Sequence, residues 1–248
     1  LPEGHLYCLE SVLEHTDKAV VVINSGGGVE MAPWLDRTGG VLMAWYQGQQ
    51  GGDAIAELLT GKVSPSGKLP FTWERRWEDN PVHDNYYPNT DSVKADNPYR
   101  RVEYNEGLFV GYRGYERNGI EPLFPFGFGL SYTTFEYGNL QIDDVGNGAF
   151  DVSFDVANTG QCDGSEVVQL YVGDVESSVV RPVKELKGYE KLFLKRGETR
   201  RVVIRLGEEA FRQYDCVRHD FVVEPGDFEI FVGASSRDIR LTGRLTVR

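Results

Sequence analysis

Apolar residues follow two regimes along the chain. Up to about residue 75 they come as short unbroken runs, and beyond Phe135 they alternate with polar residues. Leu6, Leu9 and Leu13 recur at spacings of three and four, which predicts a short helix reaching Glu14. The β-branched run Ala19 to Ile23 (AVVVI) predicts a strand covered on both faces, as in a parallel sheet. A second run, Val41 to Tyr46 (VLMAWY), predicts another strand, with Trp45 in the core. Gly51 to Trp73 (GGDAIAELLTGKVSPSGKLPFTW) then reads as a helix capped or opened by Asp53 and closed at Gly61. A turn at Ser64-Pro65-Ser66-Gly67 and a strand KLPFTW complete that stretch.

Strand, glycine loop, helix and strand is the rhythm of a doubly wound sheet. About three strands fall within residues 1–75, whereas such sheets ordinarily have five or six. An edge left that open would expose apolar backbone and faces. This stretch is therefore expected to be half of an α/β domain, completed by a preceding segment or by a second chain.

Residues 74–105 lose all periodicity and are rich in aromatics, asparagine and proline. That composition predicts an ordered excursion rather than a disordered linker. From Phe135 onward, AFDVSFDVANTG, SEVVQLYVGD, KELKGYEKLFLKRGE, TRRVVIRLG and DFEIFVGAS each alternate with period two. Asn158-Thr159-Gly160, Arg196-Gly197-Glu198 and Pro225-Gly226-Asp227 separate them as turns. About seven short strands in about 110 residues predict a sandwich, and without a Cys-Trp-Cys pattern the fibronectin type III-like form is preferred. The expected fold is thus an α/β half-sandwich, mostly parallel and incomplete, followed by an all-β fibronectin type III-like sandwich. The expected domains are 1–75, a connecting excursion and junction at 76–134, and 135–248.

A net charge of -12 removes the basic patch that nucleic acid requires and disfavours anionic membranes. Cys8, Cys162 and Cys216 form neither a disulfide framework nor a metal pattern. His5, His15, His83 and His219 lack ligand spacing, and no serine sits in GxSxG. The loop Asn24-Ser25-Gly26-Gly27-Gly28 fits neither phosphate-binding fingerprint. It does occupy the C-terminal end of a strand, where open α/β sheets bind ligands.

Glycoside hydrolysis needs two carboxylates astride a sugar, and Glu30, Asp36, Asp79, Asp84, Glu103 and Glu106 lie in loops able to face a cleft. Solvation or capping is the ordinary role of such loop carboxylates and is the preferred reading for each of them. Trp34, Trp73, Trp77, Tyr86 and Tyr87 are of the type that stacks on sugar rings. Trp77, His83, Tyr86 and Tyr87, all inside the excursion, are the expected substrate-proximal residues. In the terminal sandwich only Tyr171, Tyr189 and Tyr214 could form a sugar-stacking platform.

The stretch WYQGQQGGDAIAELLTGKVSPSGKLPFTW resembles the W-x-x-G-x-E-x-G-x-A-x-A-x-x-L-x-G-x-x-x-P-x-G-K-L-P pattern of family-3 glycoside hydrolases. LFVGYRGYERNGIEPLFPFGFGLSYTTF resembles that family's junction, and DGSEVVQLYVGD with VVRPVKELKGYEKLFLKRGET resembles its fibronectin type III-like domain. Gln50 stands where the pattern has Glu, at a position that is not catalytic in the family. The resemblance implies a retaining mechanism with an Asp nucleophile and a Glu acid/base, about 5–5.5 Å apart. It places both upstream of Leu1, so no catalytic residue is assigned in this chain, and Glu3, in a helix lead-in, matches the acid/base poorly.

The implied partners are the upstream catalytic (β/α)8 barrel, as a segment or chain of the same enzyme, and a β-linked glucoside or oligosaccharide. Neither nucleic acid nor membrane is expected, a homo-oligomer stays open, and no cofactor or metal is required. The implied activity is that of an exo-acting β-glucosidase. A β-xylosidase or α-L-arabinofuranosidase of the same family is the alternative, as is a non-catalytic carbohydrate-binding or interaction module.

Overall fold

The computed structural model describes residues 1–86 and 104–248. The chain divides into two compact units. The first comprises Leu1–Lys62, Trp73–Asn105 and Glu121–Phe124, and the second Val63–Thr72, Glu106–Ile120 and Pro125–Arg248.

In the first unit, helix α1 (Glu3–Leu13) begins after Pro2, with Glu3 in its first turn, and buries no residue. An acidic side chain there favours the positive end of the helix dipole. Strands β1 (Val20–Ile23) and β2 (Gly40–Met43) pair in parallel, Val20 opposite Gly40 and Ile23 opposite Met43. Val20 is 48% exposed and only Ile23 is buried, so the cover expected for this run is not supplied by these elements.

Between the strands, Met31 and Trp34 are buried, and Trp34 donates its indole N–H to the Glu30 carbonyl at 3.1 Å. Helix α2 (Gly51–Leu59) opens at Gln50 rather than Asp53, which lies in the first turn and makes no capping bond. Gly61, at φ +72°, supplies the left-handed residue that ends it.

Two expectations change here. KLPFTW is not a strand: only Trp73 bridges, antiparallel to Phe124. Pro70 has no N–H to offer a ladder. Ser64 to Gly67 forms no turn.

The second unit contains the sandwich. Strands β3 (Phe135–Gly146), β4 (Ala149–Asn158) and β7 (Thr199–Leu206) form one antiparallel sheet in the order β3-β4-β7. Strands β5 (Gly164–Asp174), β6 (Glu185–Leu194), β10 (Gly226–Gly233) and β11 (Ile239–Val247) form the other, in the order β11-β10-β5-β6. A small hairpin, β8 (Gln213–Asp215) and β9 (Asp220–Val222), stands apart from both sheets. Inward residues of both sheets, among them Phe154, Val156, Leu170, Leu194, Ile204 and Ile230, make one continuous core. This is the interdigitation expected of facing sheets.

Asn158 closes β4 from inside. It donates to the Cys162 and Leu194 carbonyls at 2.9 and 3.0 Å and accepts from the Thr133 hydroxyl at 2.6 Å.

The irregular stretch Val63–Thr72 belongs to this unit. Lys68 lies 3.1 Å from Glu166 of β5, with side chains only 12% and 5% exposed, and also donates to the Gly129 carbonyl at 3.1 Å. The Tyr137 hydroxyl donates to the same carboxylate at 3.2 Å. Burial, and then the charge of Glu166, push the Tyr137 phenol up, so it stays a neutral donor. A Cβ at Gly129 would collide with the Gly67 carbonyl oxygen, so glycine is needed for this close approach. Helix α4 (Tyr112–Arg117) docks through Tyr112, whose ring stacks on Phe126 at 5.0 Å and whose hydroxyl accepts from the Leu186 N–H.

Candidate functional site

The excursion gathers its aromatics. Trp77 opens a short 3₁₀ turn (Trp77–Asp79), and His83 and Tyr86 bound a single helical turn, α3 (His83–Tyr86). The Trp77 ring centroid lies 5.5 Å from that of His83 and 5.3 Å from that of Tyr86, both steeply inclined to it. Edge-to-face geometry suits aromatic quadrupoles and fixes the three rings mutually. Three of the four expected substrate-proximal residues thus form one cluster, with Tyr86 exposed and Trp77 half-buried. Tyr87 lies outside the described residues, as does Glu103.

The carboxylates around the cluster are poorly suited to proton donation. Arg76 bonds to Asp79 at 2.7 Å and holds its carboxyl below the usual range, opposite to what a general acid needs. Asp84 is solvated, its carboxylate 2.9 Å from His83 Nδ1. Glu30 and Asp36 are both exposed, Glu30 on a loop and Asp36 in a 3₁₀ turn. Among the described residues, no three His, Cys, Asp or Glu side chains are grouped to hold a metal ion.

The other tryptophans separate into two kinds. Trp34 and Trp73 are buried and bonded to backbone carbonyls, so neither can stack on a sugar. The second apolar run predicts Trp45 inside a strand, but β2 ends at Met43 and Trp45 follows it half-buried, with φ +54°. A bulky side chain in the left-handed region is a strained conformation. Tyr46, the next residue, is turned outward and is 80% exposed.

At the same end of the parallel pair, Gln47 donates its amide N–H to the Asn24 side-chain oxygen. A Cβ at Gly26 would come within 3.0 Å of the Tyr46 ring, so the phenol end rests on a glycine. The glycine loop stands out in the sequence and Tyr46 does not. The available signal is the pairing of that loop with the residues just after the second apolar run.

In the sandwich, Tyr171 is fully buried, so it cannot join a platform, whereas Tyr189 and Tyr214 are exposed. Tyr214 and Phe221 pair across the β8–β9 hairpin at 5.3 Å beside a groove of about 420 Å³.

Comparison with known proteins agrees with this architecture. Residues 1–112 match the glycosyl hydrolase family 3 C-terminal domain and residues 166–236 the fibronectin type III-like domain. The chain is 49% identical over 244 residues to thermostable beta-glucosidase B of Acetivibrio thermocellus, covering 97% of this chain and 31% of that protein. It is 40% identical to an exo-alpha-(1->6)-L-arabinopyranosidase of Bifidobacterium breve, covering 98% of this chain and 31% of that protein. The crystal structure of a Bifidobacterium adolescentis GH3 beta-glucosidase superposes with a TM-score of 0.91 at 38% identity, over 99% of this chain and 35% of that one. The chain therefore spans about a third of the length of the relatives it matches. With two domain matches in sequence order and a shared fold across its length, the chain belongs to glycoside hydrolase family 3, of which it carries the C-terminal domain and the fibronectin type III-like domain.

Proposed function

We propose that this chain is the C-terminal part of a retaining, exo-acting β-glucosidase that hydrolyses terminal non-reducing β-D-glucosyl residues. The observation that carries the reading is the 49% identity to a beta-glucosidase across 97% of the chain. The half-exposed parallel pair supports it physically, because an all-parallel sheet is stable only with both faces covered. In this reading an upstream (β/α)8 barrel carries the nucleophilic Asp, and the earlier half of the α/β domain carries the acid/base Glu. Within residues 1–75, 1–62 complete that α/β domain while 63–72 pack with the terminal sandwich; 76–134 cross to that sandwich, and 135–248 brace the assembly. Trp77, His83 and Tyr86 flank the region that receives the leaving group.

The likeness to an arabinopyranosidase favours one second reading, an exo-acting pentosidase on the same scaffold. Both follow the same carboxylate chemistry and differ in the sugar accepted. The test is hydrolysis of nitrophenyl β-D-glucoside, β-D-xyloside and α-L-arabinopyranoside by the full-length protein, with the released anomer followed by NMR. Preference for the glucoside with retention is expected. A pentoside hydrolysed more than about tenfold faster would replace the first reading with the second. Inversion, or no hydrolysis at all, would overturn the retaining-enzyme reading, and the second outcome would favour a carbohydrate-binding or interaction module.

A further inference from the structure

We propose that Tyr46, resting on Gly26 and flanked by the Asn24–Gln47 amide pair, forms a saccharide-stacking ledge for a leaving-group unit of a β-linked oligosaccharide. The inference rests on the proposed β-glucosidase reading and adds a subsite to it.

Position, exposure and strain converge on this ledge. It stands just past the C-terminal ends of β1 and β2, the end of an open α/β sheet at which ligands bind. Tyr46 is 80% exposed although it closely follows an apolar strand and a half-buried tryptophan. The residue before it, Trp45, sits at φ +54°, a conformation that costs free energy and persists only where the surroundings enforce it.

Gly26 leaves room for the phenol end, since even one methyl group there would lie 3.0 Å from Cε2 and 3.1 Å from the hydroxyl oxygen. Gly51 similarly makes room for Gln47, because a Cβ at Gly51 would collide with the Gln47 Cβ. Gln47 in turn donates to Asn24.

An exposed aromatic ring beside two side-chain amides matches the surface of a pyranose. The sugar presents C–H groups on one face, for which a ring is the partner, and hydroxyls around its rim, for which planar amides are donors and acceptors. Asn24 and Gln47 use one acceptor and one donor on each other and retain the rest of their capacity. The side chains that make the ledge are all uncharged, as suits a neutral ligand. An exo-acting enzyme cleaves off only the terminal unit. Any other ring of the same chain that the protein holds must therefore lie on the leaving-group side.

The test uses the full-length protein with three substrates: nitrophenyl β-glucoside, cellobiose and cellotetraose. In Tyr46→Ala, kcat/KM on cellotetraose is expected to fall about five- to tenfold, the scale of removing one aromatic stacking partner. The nitrophenyl glucoside, which carries no second sugar, should change less than about twofold. Tyr46→Phe should behave as the parent. Gly26→Ala, which displaces the ring while keeping it, should lose part of the cellotetraose rate.

An equal fall on all three substrates would show that Tyr46 packs against another part of the polypeptide, and would overturn the proposal. So would an unchanged rate on every substrate. If the parent hydrolyses none of the three, the β-glucosidase reading fails separately. The ledge is then decided by saturation-transfer NMR with cellotetraose. Sugar signals seen with the parent and absent in Tyr46→Ala sustain it, and signals absent from the parent or unchanged in the variant overturn it.

Discussion

The two units of this chain treat similar apolar sequence in opposite ways. In the sandwich, Val152, Phe154, Val168 and Leu170 are completely buried. In the parallel pair, Val20 is about half exposed, and Val21, Val22 and all of β2 are only partly covered. The residue types hardly differ. The sandwich alternates apolar and polar residues and brings a second sheet to each inner face, whereas the parallel run is apolar on both sides and brings one neighbour. Burial is a property of partners, and the same valine contributes roughly in proportion to the area those partners cover.

The sharpest test of that contrast is truncation in each unit. Phe154→Ala should destabilise the sandwich by about 3–5 kcal/mol, the usual range for an emptied aromatic core site. Val21→Ala should cost only about 1 kcal/mol. Urea denaturation of the 248-residue chain can separate the two units spectroscopically. All four tryptophans (Trp34, Trp45, Trp73 and Trp77) lie in the first unit, so their fluorescence reports it alone. Far-UV ellipticity is dominated by the sandwich. An equal shift of both signals in Phe154→Ala would break the contrast.

Next in size is the buried ion pair. Lys68→Met leaves Glu166 buried with the Tyr137 hydroxyl as its remaining side-chain partner. A loss of about 3 kcal/mol in the ellipticity transition is expected, because removing one member of a buried pair uncovers the desolvation cost of the other. Lys68→Met combined with Glu166→Met should recover most of it. A single variant as stable as the parent would mean that the pair is solvated.

Smaller still is the aromatic cluster. In the full-length protein, Trp77→Ala is expected to raise KM several-fold, equivalent to about 1 kcal/mol for the removal of two edge-to-face ring pairs. Unchanged kinetics and stability would remove Trp77, His83 and Tyr86 from the leaving-group region.

The smallest effect is on pH dependence. Arg240 bonds to Asp238 at 2.8 and 3.2 Å and holds its carboxyl below the ordinary range. A carboxylate lowered in the folded state contributes stability above its unfolded pKa, roughly 4, and loses it as pH falls through the lower folded value. Asp238→Asn should therefore cost at most about 0.5 kcal/mol near neutrality, given solvent screening. The gap to the parent should close below about pH 4. A gap that widens in acid would reverse the assignment.

Much of this is legible in the sequence, for particular reasons. The alternation in AFDVSFDVANTG and SEVVQLYVGD places β4 and β5, since period two has one structural solution beside a core. Strand β11 escapes because Gly243 interrupts its alternation. A Cβ at that glycine would come within 2.8 Å of the Ile142 side-chain tip, a proximity no local pattern encodes. KLPFTW misleads because strand-like composition and ladder pairing are different things, and local sequence specifies only the first. At the site, Trp77, His83 and Tyr86 are recognisable as an aromatic group. Tyr46 is not, because it follows a left-handed residue, Trp45, whose conformation no propensity favours.

The Lys68–Glu166 pair also bears on how such enzymes can be recombined. A domain swap is most naturally cut near residue 134, where the alternating strands begin. Such a cut leaves Lys68, Gly67 and Gly129 with one parent and Glu166 and Tyr137 with the other. The graft would then bury a lysine against whatever the donor carries opposite it. A modular exchange of this terminal domain has to travel with residues 63–72, 106–120 and 125–134, so the unit of inheritance is discontinuous in the chain although it is single in space.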